Sequence, residues 1–126
     1  MKRRVLIVED HDDSRKAMRA LLESEGYAAF EAKNASESID RAREFVPDVI
    51  VMDLDLPRMS AVNAAARIKS IPSLFHTRII AITTRPKNEP PDLSRDFIAL
   101  VRKPMNYSTF LSLLSASIRP KTAISK

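Results

Sequence analysis

The 126-residue chain contains no cysteine, and its apolar stretches are all short. Without cysteine it can form no disulfide, no thiolate metal site and no cysteine nucleophile. No apolar stretch approaches the roughly 20 residues that cross a bilayer, and the run after the basic N-terminus is too short for a signal peptide. These absences favour a cytoplasmic protein that does not enter a membrane, and the length indicates one domain.

An excess of basic residues is present, but it is not concentrated. The 21 Lys and Arg residues outnumber the 16 Asp and Glu residues, which gives a formal net charge of +5. The chain has no long run of basic residues, and aromatic residues are not interleaved with the basic ones. Binding to nucleic acid is therefore not favoured, and we expect a solvated surface of mixed charge.

The chain does contain four short runs of Val, Ile and Leu, each of which ends close to a polar side chain. They are Val5–Val8 before Glu9 and Asp10, Val49–Met52 before Asp53, Ile79–Ile82 before Thr83, and Ile98–Val101 shortly before Lys103. Such runs are typical of strands buried on both faces in a parallel sheet. Ligands of open parallel sheets bind just beyond the carboxyl ends of the strands. The pattern therefore predicts that three carboxylates, a hydroxyl and an ammonium group meet at one edge of a sheet.

Amphipathic helical segments alternate with these runs, and residues 27–31 provide one further strand. This alternation predicts an α/β fold with a flavodoxin-like, doubly wound, five-stranded parallel sheet. Three prolines in residues 85–92 fall where the fourth helix would start, so we expect a shortened or irregular fourth helix, or an ordered loop. A last helix is predicted over 106–118, with Tyr107 facing inward. Residues 1–118 would form the domain and 119–126 a flexible C-terminal tail.

The predicted edge site has a definite chemistry. Carboxylates of Glu9, Asp10 and Asp53 held within several ångströms would repel one another by about 1–4 kcal/mol per pair. Raised pKa values or a bound cation would relieve this repulsion. A set of oxygen ligands suits Mg²⁺ rather than Zn²⁺. With the ammonium group of Lys103 and the hydroxyl of Thr83 nearby, the carboxylate of Asp53 could accept a phosphoryl group.

Taken together, these motifs resemble the receiver domain of two-component response regulators. The resemblance covers residues 4–118 and rests on four features: Glu9-Asp10 after Val-Leu-Ile-Val, Asp53 within Pro47–Pro57, Thr83 at a strand end, and Lys103-Pro104. It implies that Thr83 and Lys103 each contact a phosphoryl oxygen. It also implies a cis peptide bond before Pro104, which would direct the lysine into the site.

The resemblance further implies the roles of the acidic residues. Asp53 would be the phosphoacceptor, taking the phosphoryl group from a sensor histidine kinase or a phosphotransfer protein. Asp10 and Asp53 would bind Mg²⁺ directly, Glu9 through a water molecule, and Asp55 through its backbone carbonyl. His11 is expected to be a lone, exposed histidine. The chain would be a signalling domain and not an enzyme, catalysing only its own phosphoryl transfer and dephosphorylation.

Some residues near the acceptor depart from the family pattern and are expected to modulate the site. Leu100 occupies the place of the switch aromatic residue, and Thr84 adds bulk where the family commonly has Ala or Gly. Arg85 is predicted to form an ion pair with Asp55 that shields the acyl phosphate from water. We therefore expect any signal to be transmitted through the proline-containing loop or the last helix.

Two other functions remain compatible with the sequence. A degenerate receiver would act as a protein-interaction module without phosphorylation. A Toprim-like, Mg²⁺-dependent nucleic-acid enzyme also has a glutamate after its first strand and an Asp-x-Asp motif, but it would leave Thr83 and Lys103 without a role. Because no output domain is visible, the downstream effector would be another protein, or this chain would be a fragment of a longer one; a homodimer is a further possibility.

Overall fold

The computed structural model describes residues 2–89, 91 and 93–118, which form alternating strands and helices. The strands are β1 (Arg4–Val8), β2 (Ala28–Ala32), β3 (Val49–Asp53), β4 (Arg78–Thr83) and β5 (Phe97–Arg102), and the helices are α1 (Asp12–Ser24), α2 (Ala35–Phe45), α3 (Ala61–Lys69) and α4 (Tyr107–Ile118). All neighbouring strands pair in parallel, in the order β2-β1-β3-β4-β5. This order confirms the predicted flavodoxin-like fold.

Two apolar layers cover the two faces of the sheet, because alternate residues of a strand point to opposite sides. Leu6 and Ile50 belong to the layer that contains residues of α2 and α3, whereas Val5 and Val51 belong to the layer that contains residues of α1 and α4. All four side chains are at most 1% exposed. None of the helices in the described part of the chain has the length and apolar character required to cross a membrane.

The segment between β4 and β5 is irregular. No helix is found there among the described residues, 84–89, 91 and 93–96, which form a loop and not the shortened helix. The clustered prolines account for this, because proline lacks an N–H donor and disfavours helical backbone in the residue before it. Leu93 of this segment and Leu100 of β5 pack against the α2–α3 side of the core.

One helix carries a buried charged residue, and another differs in detail from the sequence prediction. In α1 the buried residues are Arg15, Met18 and Leu22, so a charged side chain points inward. In α4, Phe110 and Leu114 are buried, but Tyr107 is 52% exposed and the prediction that it faces inward is wrong. Tyr107 is the first residue of the helix, where the side chain extends beyond the core. The predicted tail, residues 119–126, lies outside the described residues.

Candidate functional site

The carboxyl ends of four strands meet at one edge of the sheet, as predicted. Glu9 directly follows β1, Asp53 and Thr83 are the last residues of β3 and β4, and Lys103 directly follows β5. The structure holds the ends of β4 and β5 together, because the backbone N–H of Lys103 donates to the carbonyl of Thr83 at 2.9 Å. The peptide bond between Lys103 and Pro104 is cis.

Lys103 connects two of the carboxylates. Its Nζ donates to Oε1 of Glu9 at 2.6 Å and lies 3.8 Å from Oδ2 of Asp53. Glu9 and Asp53 are each only 6% exposed, so both carboxylates are buried beside a single ammonium group. The cation therefore forms its short contact with Glu9 and a longer one with the predicted acceptor.

The pKa values of the two buried carboxyls are shifted in opposite directions. Burial raises the pKa of Asp53 to about 6, against the lowering effects of a hydrogen bond from the backbone N–H of Asp55 and of Lys103, and the nearby charge of Glu9 adds to the rise. Burial also raises the pKa of Glu9, but its hydrogen bonds to Lys103 and His11 outweigh this and leave the pKa below its ordinary value. The hydrogen bonds from Lys103 and His11 thus make Glu9 the carboxyl that holds its proton more weakly.

One oxygen of Asp53 is fixed by the backbone. Its Oδ1 accepts a hydrogen bond from the N–H of Asp55 at 2.8 Å. Its Oδ2 points toward Lys103 but lies beyond hydrogen-bonding distance of Nζ. Oδ2 is therefore the oxygen with free lone pairs and can act as a nucleophile.

Thr83 is fully buried, and its hydroxyl is oriented by the following loop. The Oγ1 atom accepts a hydrogen bond from the backbone N–H of Arg85 at 3.0 Å. An oxygen that accepts in this way keeps its own O–H free to donate to a group at the site.

The predicted ion pair between Arg85 and Asp55 is not formed. Within 4.0 Å, the described residues contain no ion pair that joins these two side chains. Instead, Oγ1 and the backbone N–H of Thr84 donate to Oδ2 of Asp55, at 3.1 and 3.5 Å. Thr84 takes the place of Arg85 because its short side chain and its amide both reach the same carboxylate oxygen. It therefore bridges the loops that follow β3 and β4.

Asp10 and His11 complete the acidic side of the site. The Nδ1 atom of His11 lies 3.2 Å from Oε2 of Glu9 and 3.4 Å from Oδ1 of Asp10. The hydrogen bond to Glu9 and the charge of Asp10 raise the pKa of His11, although its side chain is 76% exposed. Ligand atoms from these three residues lie within 4.8 Å of one another, a spacing that could hold a metal ion. Sequence reasoning treated His11 as a lone histidine, although its place next to two acids was a signal of this contact.

Arg15 is a second residue that sequence reasoning missed. Its side chain is only 3% exposed, its Nη1 donates to the carbonyl of Glu9 at 2.9 Å, and its Nε donates to Glu31 at 2.7 Å. It therefore links α1 and β2 to the loop that carries the acidic residues. The signal was its spacing in α1, since residues 15, 18 and 22 fall on one helix face.

Two further residues were predicted to modulate the site. Leu100 is partly buried against the α2–α3 side of the core. Pro104 lines a cavity of about 500 Å³ that is bounded by α1 and the start of α4 and that opens beside Asp53 and Lys103. Met18 and Tyr107 also line this cavity, so the predicted acceptor lies at the end of a partly apolar cleft.

Comparison with known proteins places these features in one family. The family model described as "Response regulator receiver domain" matches residues 5–113. The polar-differentiation response regulator DivK of Brucella anthropi is 39% identical over 83 residues, which are 66% of this chain and 68% of that protein. DivK of Brucella ovis is 37% identical over the same shares of both chains.

Solved structures agree with the fold. Chemotaxis response regulator CheY4 of Vibrio cholerae matches with a TM-score of 0.81 and 23% identity, over 93% of this chain and 99% of that chain. Response regulator TrrA of Thermotoga maritima, whose structure is described as a complex with Mg²⁺ and BeF, gives the same four values. With the sequence match, the sheet order and the clustered acids, hydroxyl and lysine, these likenesses lead to one conclusion: the chain belongs to the response regulator receiver domains.

Proposed function

We propose that Asp53 accepts a phosphoryl group from a phosphohistidine of a sensor histidine kinase or a phosphotransfer protein. The observation that carries this proposal is the environment of its carboxylate, in which Oδ1 is fixed by the N–H of Asp55 and Oδ2 faces Lys103 at 3.8 Å. Oδ2 would attack phosphorus, the P–N bond would break, and its electron pair would stay on the histidine nitrogen, which takes up a proton. A pKa of about 6 keeps most of the Asp53 carboxyl ionised, and so nucleophilic, at neutral pH.

Lys103 and Thr83 would stabilise the transferred group. As negative charge builds up on the phosphoryl oxygens, the ammonium group of Lys103 could approach from its position between Glu9 and Asp53. The hydroxyl of Thr83, held by the N–H of Arg85, could donate to another phosphoryl oxygen. The hydroxyl of Thr83 is oriented before the reaction and Lys103 already lies beside Asp53, an arrangement that would lower the barrier of phosphoryl transfer.

The residues present fit a hard divalent cation, for which Mg²⁺ is the natural candidate. The donor set supports this fit, because the buried carboxylates of Glu9 and Asp53 share the single ammonium group of Lys103. Asp10 and Asp53 would bind the ion directly, Glu9 through water and Asp55 through its backbone carbonyl. When bound, Mg²⁺ supplies positive charge that neutralises the phosphoryl oxygens.

The test is phosphorylation by a small molecule. After incubation with Mg²⁺ and acetyl phosphate, intact mass spectrometry should detect one added phosphoryl group. The Asp53→Asn variant should gain nothing, whereas Asp40→Asn, which removes an exposed carboxylate from α2, should be labelled like the parent. An unlabelled parent protein, or labelling that persists in Asp53→Asn, would contradict the proposal.

A second candidate function is protein interaction without phosphorylation. It is favoured by the aliphatic Leu100 and by the irregular segment after β4, because both alter the part of the domain that would change on phosphorylation. An unlabelled protein in the acetyl phosphate experiment would support it. The Toprim-like alternative is wrong, since the receiver model matches residues 5–113. The kinase, the effector, a homodimer and a cytoplasmic location stay predictions.

A further inference from the structure

A second candidate site lies at the amino ends of the strands, whereas Asp53 lies at their carboxyl ends. The described part of the chain has three exposed large hydrophobic residues, and two of them, Phe75 and Ile98, line the same cavity of about 380 Å³. Phe75 is 75% exposed and Ile98 is 46% exposed. They lie near the amino ends of β4 and β5, so the acceptor and this cavity are separated by the length of the strands.

Phe75 is held at the surface by an ordered turn. It follows a short 3₁₀ helix, Pro72–Leu74, and the ammonium group of Lys69 donates to the backbone carbonyls of Phe75 and Thr77, at 2.7 and 2.6 Å. Lys69 thus fixes the turn on both sides of His76, whose ring contacts the ring of Phe75 edge-on. The exposed phenylalanine is part of a defined surface.

Ile98 is directed outward by a β-bulge. Ile79 pairs with Phe97, but the next residue of β4, Ile80, pairs with Ala99, so Ile98 has no partner in the ladder. Phe97 packs in the α2–α3 layer and Ala99 against the opposite layer. The extra residue therefore turns an isoleucine to the outer side of the edge strand, which is a local device that bulges commonly provide.

Positive charge surrounds this apolar pair. The cavity is also lined by three cationic residues, one histidine and one acidic residue, which are Lys69, Arg78, Arg95, His76 and Asp96. Among the described residues, no carboxylate lies within 4.0 Å of the guanidinium groups of Arg78 or Arg95. Burial, with the nearby charge of Arg78, lowers the pKa of Lys69. An apolar centre with a charged rim that includes arginine and an aromatic residue is typical of protein-binding surfaces.

We propose that this surface, lined by Phe75, Ile98, Arg78 and Arg95 and here called the Phe75–Ile98 surface, binds an acidic protein segment that inserts one apolar side chain. Charge argues against two other occupants, which are a second copy of this chain and its own C-terminal residues. A second copy of the chain that docked through the same surface would bring the same cations face to face, and the charged side chains of residues 119–126 are all basic. The cavity volume suits one large apolar side chain, whereas a phosphate backbone would gain nothing from the exposed Ile98. The proposal does not rest on phosphoryl transfer, because Asp53 lies at the carboxyl ends of the strands and this surface at their amino ends.

The test is an NMR titration of the ¹⁵N-labelled protein with a blocked peptide, Glu-Asp-Leu-Phe-Asp-Glu. Its matched control is the same peptide with lysine at every acidic position, and a single-stranded DNA oligonucleotide is the third probe. We expect saturable shifts from the acidic peptide only, confined to the amides of the Phe75–Ile98 surface and weakened by salt.

Variants assign the binding to this surface. Phe75→Ala should lower the affinity for the acidic peptide about fivefold or more, since truncating a central aromatic residue commonly costs over about 1 kcal/mol of binding free energy. Arg95→Glu should also lower this affinity, because the introduced carboxylate would repel the acidic residues of the peptide. The matched controls are Tyr107→Ala, the third exposed large hydrophobic residue, and Arg43→Glu, an exposed arginine of α2, and neither should change the affinity. Unchanged thermal unfolding would show that the variants fold.

Several outcomes would overturn the proposal. They are no shift at millimolar acidic peptide, shifts outside the surface, an equal response to the lysine peptide, the same shifts with DNA, or an affinity that survives in both Phe75→Ala and Arg95→Glu. None of these results bears on labelling of Asp53 by acetyl phosphate, so the two proposals fail separately.

Discussion

Replacing Asp53 with asparagine should stabilise the metal-free domain at neutral and alkaline pH. The pKa of Asp53 is raised to about 6 in the folded protein from an ordinary value of 3.8, chiefly by burial. Between these values the native state binds more protons than the unfolded state, so stability falls as the pH rises from about 4 to beyond 6. Asparagine has no such titration, and its amide oxygen can still accept from the N–H of Asp55.

The size of the effect follows from the difference in pKa. About two units correspond to about 3 kcal/mol once both states are ionised. Because Glu9 and Lys103 share the same charge cluster, part of this energy is redistributed when Asp53 changes, and we expect a gain of about 1–3 kcal/mol at pH 8. The gain should be close to zero near pH 4, where the carboxyl of Asp53 is protonated in the folded protein.

The measurement is urea denaturation with EDTA, at several pH values between 4 and 8. Circular dichroism is the suitable probe, because the chain contains no tryptophan. Asp40→Asn, the exposed control on α2, should change the free energy of unfolding by less than about 0.5 kcal/mol at each pH. A difference between Asp53→Asn and the parent that is independent of pH, or a less stable variant at pH 8, would refute the reasoning.

Three further predictions concern the contacts around the site. Arg15→Ala should lower the free energy of unfolding by about 2–3 kcal/mol, because it removes a buried guanidinium group that donates to the carbonyl of Glu9 and to Glu31; urea denaturation would measure it, with the more exposed Arg19→Ala costing less. Lys103→Ala should raise the pKa of the Asp53 carboxyl further, because the charge of Lys103 lowers it; an NMR pH titration would detect the change, and labelling by acetyl phosphate under the proposed function should be slower. If Asp53 is phosphorylated as proposed, Thr84→Ala should lose the phosphoryl group faster than Arg85→Ala in timed mass spectrometry, because Thr84 and not Arg85 bridges the loops beside Asp53.

The sheet and its functional edge could be predicted because the strongest pattern in the sequence is also the strongest constraint on the fold. Runs such as Val49–Met52 are buried on both faces, as the strands of a parallel sheet covered by helices must be. The expected range of β2, 27–31, differs from the observed Ala28–Ala32 by one residue. Its mixed composition has no sharp ends, so the boundary depends on pairing with β1.

Contacts between side chains from distant segments were harder to predict. Thr84 and Arg85 are adjacent in the sequence, and the sequence alone does not show which of them reaches Asp55. The backbone path after β4 decides that Thr84 does. The burial of Arg15 was not predicted from the sequence, since an arginine is rarely buried without several partners. Its partners, Glu31 and the carbonyl of Glu9, come from β2 and from the loop after β1, and sequence spacing does not show that they converge.

The position of Lys103 connects the electrostatics of the site with its proposed chemistry. With all groups ionised, the carboxylates of Glu9, Asp10 and Asp53 exceed this single ammonium group by two negative charges, which is the charge that one divalent cation balances. Lys103 forms its short contact with Glu9 at 2.6 Å, which leaves Oδ2 of Asp53 uncommitted, while burial keeps the pKa of Asp53 raised. A transferred phosphoryl group would add negative charge beside Asp53, and the ammonium group would then be drawn from Glu9 toward it. Lys103 therefore has two competing partners, and phosphorylation would shift the balance between them.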